Sequence, residues 1–303
     1  MRILATDIGG THLRAAILES RDGTWDVGPV KDSRTPHSLD EVLATLQPLA
    51  RETEGIAIGV AGSVREHRRV LESGNIPFIQ KQAVDIGGIV SEKLGKPCLV
   101  FNDMEAALAG ELVAGTLRGC RWAFMDTVST GWGGALLLNG EIVAAEPGHT
   151  PSGLLENRRD AYGHVDCNEA HFSGSQVEDR VRHILKQKKI PVPQDRSPNV
   201  LADEAVQRGE PWAVELYRYI AEGIGRAWVY RLNLIPRIEK IAYQGGFLIP
   251  AMELPVFRDA LRDTIRTWTM YPETHTDIPI ERARADHGAL LGAAHLFRSS
   301  KSS

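Results

Sequence analysis

The chain opens with two short apolar runs separated by a polar turn that carries glycine. The runs at 3–8 and 13–18 predict the two buried strands of a hairpin. Gly9 and Gly10 stand in the turn, where glycine permits backbone angles closed to other residues and leaves room for a ligand to approach. Thr11 adds a hydroxyl and an amide that suit a phosphate. An ordinary Gly-Gly hairpin turn without a ligand is the alternative interpretation.

The same pattern returns in the middle of the chain. An apolar run at 122–126 is followed by a turn that contains Thr130, Gly131 and Gly133, and then by a second apolar run at 135–138. The first turn is not of the Walker type, because no Gly-Lys-Ser/Thr follows it. Two such hairpins, one in each half, suggest two related α/β domains.

Apolar residues at helical spacing predict helices between and after these strands. The predicted helices cover 38–52, 80–94, 175–189, 199–208, 211–232, 255–267 and 286–296. Further strands are predicted at 55–61, 97–101, 238–243 and 278–280, and a hairpin at 64–76. Strands that alternate with helices are typical of an α/β fold.

Composition limits the class of protein without defining its activity. The 303 residues are 43% apolar and 24% charged, which is typical of a globular protein with an ordinary core. The formal charge of −4 gives no reason to expect a nucleic acid partner, and no run of about 18 apolar residues predicts a membrane span. Three unpatterned cysteines, and a strand at Ile3 where a signal peptide would lie, predict a reducing, cytoplasmic location.

Polar side chains stand where two predicted strands end. Asn102 and Asp103 follow the strand at 97–101 and open an alanine-rich helix. This placement brings both side chains to the rim of the sheet, where ligands bind in α/β folds. A helix cap is the alternative interpretation of the pair. Asp7 ends the first strand, and a carboxylate beside a phosphate-binding turn can hold Mg²⁺, usually through water.

The first turn resembles a known motif. Residues 7–14, which read Asp-Ile-Gly-Gly-Thr-His-Leu-Arg, are similar to the first phosphate motif of sugar kinases in the actin, hexokinase and Hsp70 superfamily. The nearest resemblance is to bacterial glucokinases and the ROK (repressor, open reading frame, kinase) family, and Arg14 favours the glucokinases. Later segments resemble further motifs of these kinases in the same order along nearly the whole chain. They are the Asn-Asp pair at 102–103, the turn at 129–134, the segment 146–174 and the Gly-Gly turn at 245–246.

The resemblance implies both a fold and its division. It implies an α/β protein with two ribonuclease H-like (actin/hexokinase-type) domains flanking a central cleft. The small domain is expected at 1–105, completed by the C-terminal helix at 286–303, and the large domain at 106–285. A homodimer is also expected, with a small sugar as substrate and with neither nucleic acid nor membrane as a partner.

The resemblance further implies an ATP-dependent kinase that uses Mg²⁺ and phosphorylates a hexose hydroxyl, most simply O6 of glucose. In that case Asp103 is the catalytic base and Asp7 is the residue that holds the metal. The implied sugar ligands are Asn75, Asn102, Asp103, Glu146, His149 and Glu169. The implied nucleotide ligands are Asp7, Gly9, Gly10, Thr11, Arg14, Thr130, Gly131, Gly133, Gly245 and Gly246. Carboxylates, amides and imidazole suit a sugar because its hydroxyls both donate and accept hydrogen bonds.

Departures from the family pattern leave alternatives open. The family usually has a glycine shortly before Thr130, where this chain has Val128 and Ser129, and Trp132 is bulky where a small residue is usual, which weakens the prediction of nucleotide binding. Of the cysteine cluster that holds zinc in many ROK proteins only Cys167 is present, so no zinc is expected. The alternatives are a non-catalytic sugar-sensing regulator, a kinase for another hexose or an N-acetylhexosamine, and a kinase that uses polyphosphate.

Two histidines of the segment 146–174 receive no role in this interpretation. His164 and His171 are taken as ordinary residues of a solvated loop.

Overall fold

A computed structural model describes residues 1–21, 23–71, 73, 76–80 and 82–301. The strands are β1 (Arg2–Ile8), β2 (His12–Arg21), β3 (Thr24–Val27), β4 (Lys31–Arg34), β5 (Gly55–Val60), β6 (Val64–Arg65), β7 (Arg69–Val70), β8 (Cys98–Asn102), β9 (Trp122–Val128), β10 (Trp132–Leu138), β11 (Glu141–Ala145), β12 (Lys240–Gln244) and β13 (Ile280–Arg282). The helices are α1 (Leu39–Ala50), α2 (Ile86–Leu94), α3 (Asp103–Ala114), α4 (Asn168–Phe172), α5 (Gly174–Gln187), α6 (Pro198–Gln207), α7 (Pro211–Leu234), α8 (Leu248–Glu253), α9 (Pro255–Trp268), α10 (Pro272–His275) and α11 (Gly288–Ser300). A single 3₁₀ turn covers Pro147–His149.

Contacts divide the chain into two compact units. Unit 1 contains Met1–Cys120, Leu136–Ala144 and Ala283–Ser303, and unit 2 contains Arg121–Ala135 and Ala145–Arg282. The domain bounds expected from the resemblance stay a prediction.

The sheet of unit 1 has the strand order β3-β2-β1-β5-β8, and β4 also pairs with β2. β1 is antiparallel to β2 and parallel to β5, with Asp7 opposite both Arg14 and Gly59. β5 is parallel to β8, with Val60 opposite Asn102. Because β1, β5 and β8 run in the same direction, Asp7 and Asn102 come to the same carboxyl edge of the sheet, where α/β folds bind ligands.

Both faces of this sheet are covered. Successive side chains of a strand point to opposite faces, so Leu4 and Ile8 enter a buried cluster with α1 and α2. Ile3 and Ala5 enter a second cluster on the other face, which includes Phe297 of α11. Burial on both faces explains why β1 reads as a continuous apolar run and not as an alternating one.

The helices α3 and α11 approach each other closely through small residues. A Cβ atom added to Gly292 would lie 1.8 Å from the carbonyl oxygen of Ala106 and 2.5 Å from the amide nitrogen of Gly110. A Cβ atom added to Gly110 would lie 2.1 Å from the carbonyl oxygen of Gly288. These neighbours are backbone atoms, which cannot move aside as a flexible side chain does. The small residues in the two predicted helices are therefore required by their packing.

We expect Gly292→Ala to destabilise the protein by about 1–3 kcal/mol, because overpacking shifts backbone that is already in contact. The midpoint of urea denaturation, followed by circular dichroism, measures the change. Ser299→Ala, at the exposed end of the same helix, is the matched control and should leave the midpoint nearly unchanged. Equal midpoints for wild type and Gly292→Ala would show that the two helices are not packed so closely.

The second sheet has the strand order β11-β10-β9-β12-β13, and β12 runs parallel to both β9 and β13. Within unit 2 the long helix α7 packs against α9. The ring of Trp228 on α7 meets Phe124 of β9 edge-on, with 6.0 Å between the ring centres. The predicted strand at 122–126 and helix at 211–232 are thus confirmed, each within a few residues.

Among the helices that the sequence predicts, α2 has the largest difference, at its start. The helix was predicted from residue 80, but it begins at Ile86. Asp85 sets this start, because its carboxylate accepts a hydrogen bond from the Gly88 amide (3.0 Å) and also pairs with Arg68. Along the described ranges, no helix is both long enough and apolar enough to cross a membrane.

Candidate active site

The turn between β1 and β2 is held by hydrogen bonds while its tip stays exposed. The Gly9 amide donates to the carbonyl oxygen of His12 (3.0 Å), and the Thr35 hydroxyl donates to the carbonyl oxygen of Gly9 (2.6 Å). The Thr35 amide donates to the carbonyl oxygen of Thr11 (2.9 Å). Gly10 and Thr11 are exposed. A fixed backbone with an accessible tip is the form that phosphate-binding turns take.

The Asp7 carboxylate lies at the base of this turn. Burial raises the pKa of Asp7, although the nearby Arg14 guanidinium, 4.0 Å away, lowers it. Arg14 lies near two carboxylates, because its Nε also donates to Asp32 (3.1 Å). His12 Nδ1 lies 2.7 Å from the other oxygen of Asp32. The bonds from His12 and Arg14 hold the pKa of Asp32 below its usual value. A desolvated and only partly compensated carboxylate fits a divalent cation, so the residues present at Asp7 are compatible with Mg²⁺.

Asn102 caps the helix α3. Its side-chain oxygen accepts hydrogen bonds from the amides of Met104 (2.9 Å) and Glu105 (3.2 Å), and its side-chain nitrogen donates to the carbonyl oxygen of Gly62 (3.1 Å). Glu105 completes a capping box by accepting from the Asn102 amide (3.3 Å). Asp103 is the first residue of the helix. The cap interpretation therefore holds for Asn102, and it leaves the Asp103 carboxylate outside the capping box.

In unit 2 the turn at 129–131 rests on the start of α5. The Gly174 amide donates to the carbonyl oxygen of Ser129 (2.6 Å), and the Ser175 hydroxyl donates to the carbonyl oxygen of Thr130 (2.7 Å). A Cβ atom on Gly131 would lie 2.7 Å from Glu169 Oε2, and one on Gly174 would lie 2.4 Å from the Ser129 oxygen. Thr130 is exposed. The sequence pair Ser173-Gly174 thus helps to shape this predicted phosphate turn.

Trp132 points away from the turn and into the core of unit 2. Its side chain is 1% exposed, and its indole nitrogen donates to the Asp126 carboxylate (2.9 Å). Asp126 is fully buried, accepts a second indole bond from Trp228 (2.9 Å), and pairs with both guanidinium Nη atoms of Arg231 (2.6 Å each). The Trp132 side chain therefore lies in the core and donates a hydrogen bond to a buried ion pair. Nucleotide binding at the turn stays a prediction.

Three of the predicted sugar ligands come together in unit 2. Glu146 directly precedes the 3₁₀ turn that ends at His149, and Glu169 lies in the first turn of α4. Asn168 ties the two segments, because its side-chain nitrogen donates to the Thr150 hydroxyl (2.8 Å) and its amide donates to the Thr150 carbonyl oxygen (2.9 Å). Glu169 also accepts a hydrogen bond from the Trp132 amide (2.7 Å), which links these predicted sugar ligands to the predicted phosphate turn.

The two carboxylates of this group share an unusual electrostatic environment. Burial raises the pKa of Glu146 and of Glu169. His149 lowers both values, whereas Glu169 raises that of Glu146 further. The exposed Glu146 and the buried Glu169, beside one imidazole, are a set of hydrogen-bond acceptors that hydroxyl groups can satisfy.

Asp160 belongs to the same region, although no sequence motif points to it. Its side chain is fully buried, and one of its oxygens, Oδ2, lies 3.0 Å from His149 Nδ1, 2.8 Å from His164 Nδ1 and 3.3 Å from Cys167 Sγ. His164 is thus a partner of a buried carboxylate. The interpretation of His171 as a solvated residue is wrong, because it is fully buried and its Nε2 lies 2.9 Å from Asp166.

The same residues can be tested as a zinc site. His149, Asp160 and Cys167 offer ligand atoms that all lie within 4.8 Å of one another. Imidazole, carboxylate and thiolate are ordinary zinc ligands. The expectation of no zinc considers only the number of cysteines and therefore leaves out this set of donors. The fit is nevertheless incomplete, because Oδ2 of Asp160 is already at hydrogen-bond distance from both other ligand atoms. Burial and Asp160 raise the pKa of Cys167 to about 11, which favours the thiol over the thiolate that zinc needs.

The Gly-Gly turn after β12 has two different glycines. Gly245 has a positive φ of 110°, and a Cβ atom there would lie 2.3 Å from the carbonyl oxygen of Val128. Gly246 faces open space, with no atom within 4 Å of an added Cβ. Gly245 is therefore required by the fold, whereas Gly246 leaves a surface free, as the predicted contact with adenine needs. Asn75 lies outside the described residues, and its predicted role stays a prediction.

These features define a class of protein. The paired glycine turns, the parallel strands that end at Asp7 and Asn102, and the α/β architecture form an actin/hexokinase-type fold. The ROK hexokinase from Thermus thermophilus has this fold with a TM-score of 0.81 at 26% identity, and the match covers 100% of both chains. A ROK family glucokinase from Streptomyces griseus, in complex with glucose and AMPPNP, matches with a TM-score of 0.76 at 24% identity over 99% of this chain and 100% of that chain.

The chain belongs to the ROK family, whose profile matches residues 3–300. A glucokinase of Streptomyces coelicolor is 28% identical over 322 aligned positions, which cover 97% of each chain. An N-acetylmannosamine kinase of Salmonella typhi is 30% identical over 190 positions, which cover 57% of this chain and 62% of that one. The expected resemblance to ROK-type sugar kinases is thereby confirmed.

Proposed function

We propose that this protein is an ATP-dependent sugar kinase that phosphorylates a hexose hydroxyl, with O6 of glucose as the first candidate. The observation that carries the proposal is the assembly of Glu146, His149 and Glu169 in unit 2, tied together through Asn168. A glucokinase related over 97% of the chain, and a ROK glucokinase that binds glucose and AMPPNP, support this choice of substrate and donor.

Asp103 is the proposed catalytic base. It accepts the proton of the sugar hydroxyl as the oxygen attacks the γ-phosphorus, and it orients that oxygen for attack. Phosphoryl transfer passes through a loose transition state, so positioning and charge neutralisation account for most of the catalysis. The amides of the turns at 9–11 and 130–131 are the proposed phosphate contacts. When bound, Mg²⁺ supplies charge neutralisation at the phosphates, and Asp7 is the residue that holds it.

The sugar ligands are expected to control affinity. Glu146→Ala should weaken glucose binding by about 5–150-fold, because a hydroxyl loses a charged acceptor in a partly dry site, at roughly 1–3 kcal/mol. Isothermal titration calorimetry with glucose measures the change. Glu141→Ala, on the exposed part of β11, is the control that should bind like wild type. A wild-type affinity for Glu146→Ala would place the sugar elsewhere.

Glucose affinity is also expected to depend on pH. Burial raises the pKa of Glu146 and of Glu169, so both become protonated at a higher pH than an ordinary glutamate does. A protonated carboxyl loses acceptor capacity, so affinity should fall as the pH is lowered, and the fall should begin above the ordinary glutamate pKa of about 4.3. Titrations with glucose from neutral pH downward measure the effect, and Glu146→Gln should flatten the curve. Constant affinity down to about pH 4.3 would contradict it.

A substrate survey separates this proposal from its alternatives. Turnover is measured with ATP or with polyphosphate, in the presence of Mg²⁺, for each of five sugars: glucose, mannose, fructose, N-acetylmannosamine and N-acetylglucosamine. Turnover with one sugar supports a kinase and names its substrate. Tight sugar binding without turnover would favour a sugar-sensing regulator. The cytoplasmic location and the homodimer remain predictions that this survey does not address.

A further inference from the structure

Both oxygens of the Asp160 carboxylate lie at hydrogen-bond distance from donor groups. Oδ1 accepts from the backbone amides of Tyr162 (2.9 Å) and His164 (2.8 Å). Oδ2 lies within hydrogen-bond distance of His149 Nδ1 (3.0 Å), His164 Nδ1 (2.8 Å) and Cys167 Sγ (3.3 Å). A buried carboxylate needs such compensation, and an ionised one can act only as an acceptor.

The ring of His149 is fixed by this arrangement. Its edge meets the ring of Tyr162 at 5.3 Å between centres and an angle of 89°, and it meets the ring of His164 at 4.9 Å and 69°. The His149 side chain is 24% exposed, whereas Asp160 is fully buried, so the imidazole is the part of the pair that a ligand can reach. A neutral imidazole carries one N–H, and the nitrogen that faces a carboxylate must be the one that bears it.

We propose that Asp160 is a positioning residue for sugar recognition, which fixes His149 in the Nδ1–H form and thereby makes Nε2 a hydrogen-bond acceptor. The inference rests on the proposed function, because it takes His149 as a sugar ligand. Together with Glu146 and Glu169, the site then presents acceptors to the sugar. It therefore selects a group that donates a hydrogen bond at His149, that is, a hydroxyl.

The first measurement requires no activity. In the ¹⁵N NMR spectrum of the wild-type protein, His149 is identified by the loss of its signals in His149→Gln. We expect the ring to carry its proton on Nδ1 and to have an unprotonated Nε2. The opposite tautomer, or a ring with protons on both nitrogens, would overturn the proposal. A metal ion bound in a one-to-one ratio, found by elemental analysis of the purified protein and lost in Cys167→Ser, would also overturn it, because metal would then take the place of the Nδ1 proton.

The second measurement uses matched variants. Asp160→Asn keeps the shape of the side chain but offers one acceptor oxygen, so the amide can turn its NH₂ toward His149 and reverse the tautomer. Asp166→Asn is the control, because Asp166 accepts hydrogen bonds from Ser152 (2.7 Å) and the Leu155 amide (3.0 Å) in the same segment and is not in the group around His149.

We expect Asp160→Asn to weaken glucose binding about 10-fold relative to Asp166→Asn, while turnover at saturating sugar changes less than about threefold. The sugar hydroxyl that contacts His149 is found with deoxyfluoro glucose analogues, since fluorine cannot donate a hydrogen bond. Equal affinities for the two variants would overturn the proposal. If another sugar of the survey binds in place of glucose, the comparison is made with that sugar. If none of them binds the wild type, the proposed function fails, and the tautomer of His149 still decides the role of Asp160.

Discussion

Asp103→Asn is expected to lower turnover by about 10²–10⁴-fold, the range that general base catalysis typically supplies. The amide nearly matches the carboxylate in shape, but it cannot take the hydroxyl proton. Because the capping box of α3 is formed by Asn102 and Glu105, the substitution leaves the helix start intact. Sugar affinity should therefore change far less than turnover, which is the pattern of a lost transition-state interaction.

Turnover and equilibrium glucose binding are measured on the same preparation of Asp103→Asn. Asn102→Ala is the matched comparison, because it removes the cap and should cost about 0.5–2 kcal/mol of stability. A turnover within about threefold of wild type for Asp103→Asn would show that Asp103 has no catalytic part. The kinase proposal would then lose its central residue.

Arg231→Met is expected to destabilise the protein by about 3–5 kcal/mol, because it leaves Asp126 buried without its cation. The Asp126 side chain is 0% exposed and that of Arg231 12% exposed, and the guanidinium also lies 4.1 Å from the ring centre of Phe124. The indole bonds from Trp132 and Trp228 cannot neutralise the charge that remains.

Urea denaturation followed by tryptophan fluorescence tests this expectation. Arg237→Met is the control, since Arg237 lies over the ring of Trp122 (5.5 Å) and lacks a buried carboxylate partner among the described contacts. The double variant Asp126→Asn/Arg231→Met should be more stable than Arg231→Met alone, because no charge is then buried unpaired. A loss below about 1 kcal/mol for Arg231→Met would contradict the buried ion pair.

Most strands and most helices are predictable from the sequence because their signals are local. The apolar run of β1, the Ser38 cap of α1 and the spacing in α7 each lie within a few residues of the element they define. The Asn102-Asp103 pair illustrates the limit of that approach. A cap and a ligand are the two interpretations of the pair; the structure shows Asn102 as the cap, and the catalytic role of Asp103 stays a proposal.

Partners that lie far apart along the chain produce no comparable local signal. Trp132 departs from the family pattern of a phosphate motif, and the motif does not show that its partner Asp126 pairs with Arg231 on another element. Likewise, only the folded segment brings Asp160 and His164 to His149. The role of a buried polar side chain depends on the hydrogen-bonding groups around it, and tertiary structure determines which groups these are.

The packing of α11 has a consequence for the order in which the protein can fold. Residues of β1 and β2, including Ile3 and Leu18, share a buried cluster with Leu290 and Phe297. On a ribosome that adds about 5–20 residues per second, the second group emerges roughly 15–55 s after the first. The part of this face of the first sheet that α11 covers thus stays exposed while unit 2 is made. The nascent chain therefore offers chaperones a binding surface throughout that interval, and a substitution in α11 that slows its docking would lengthen the exposure and promote aggregation at synthesis.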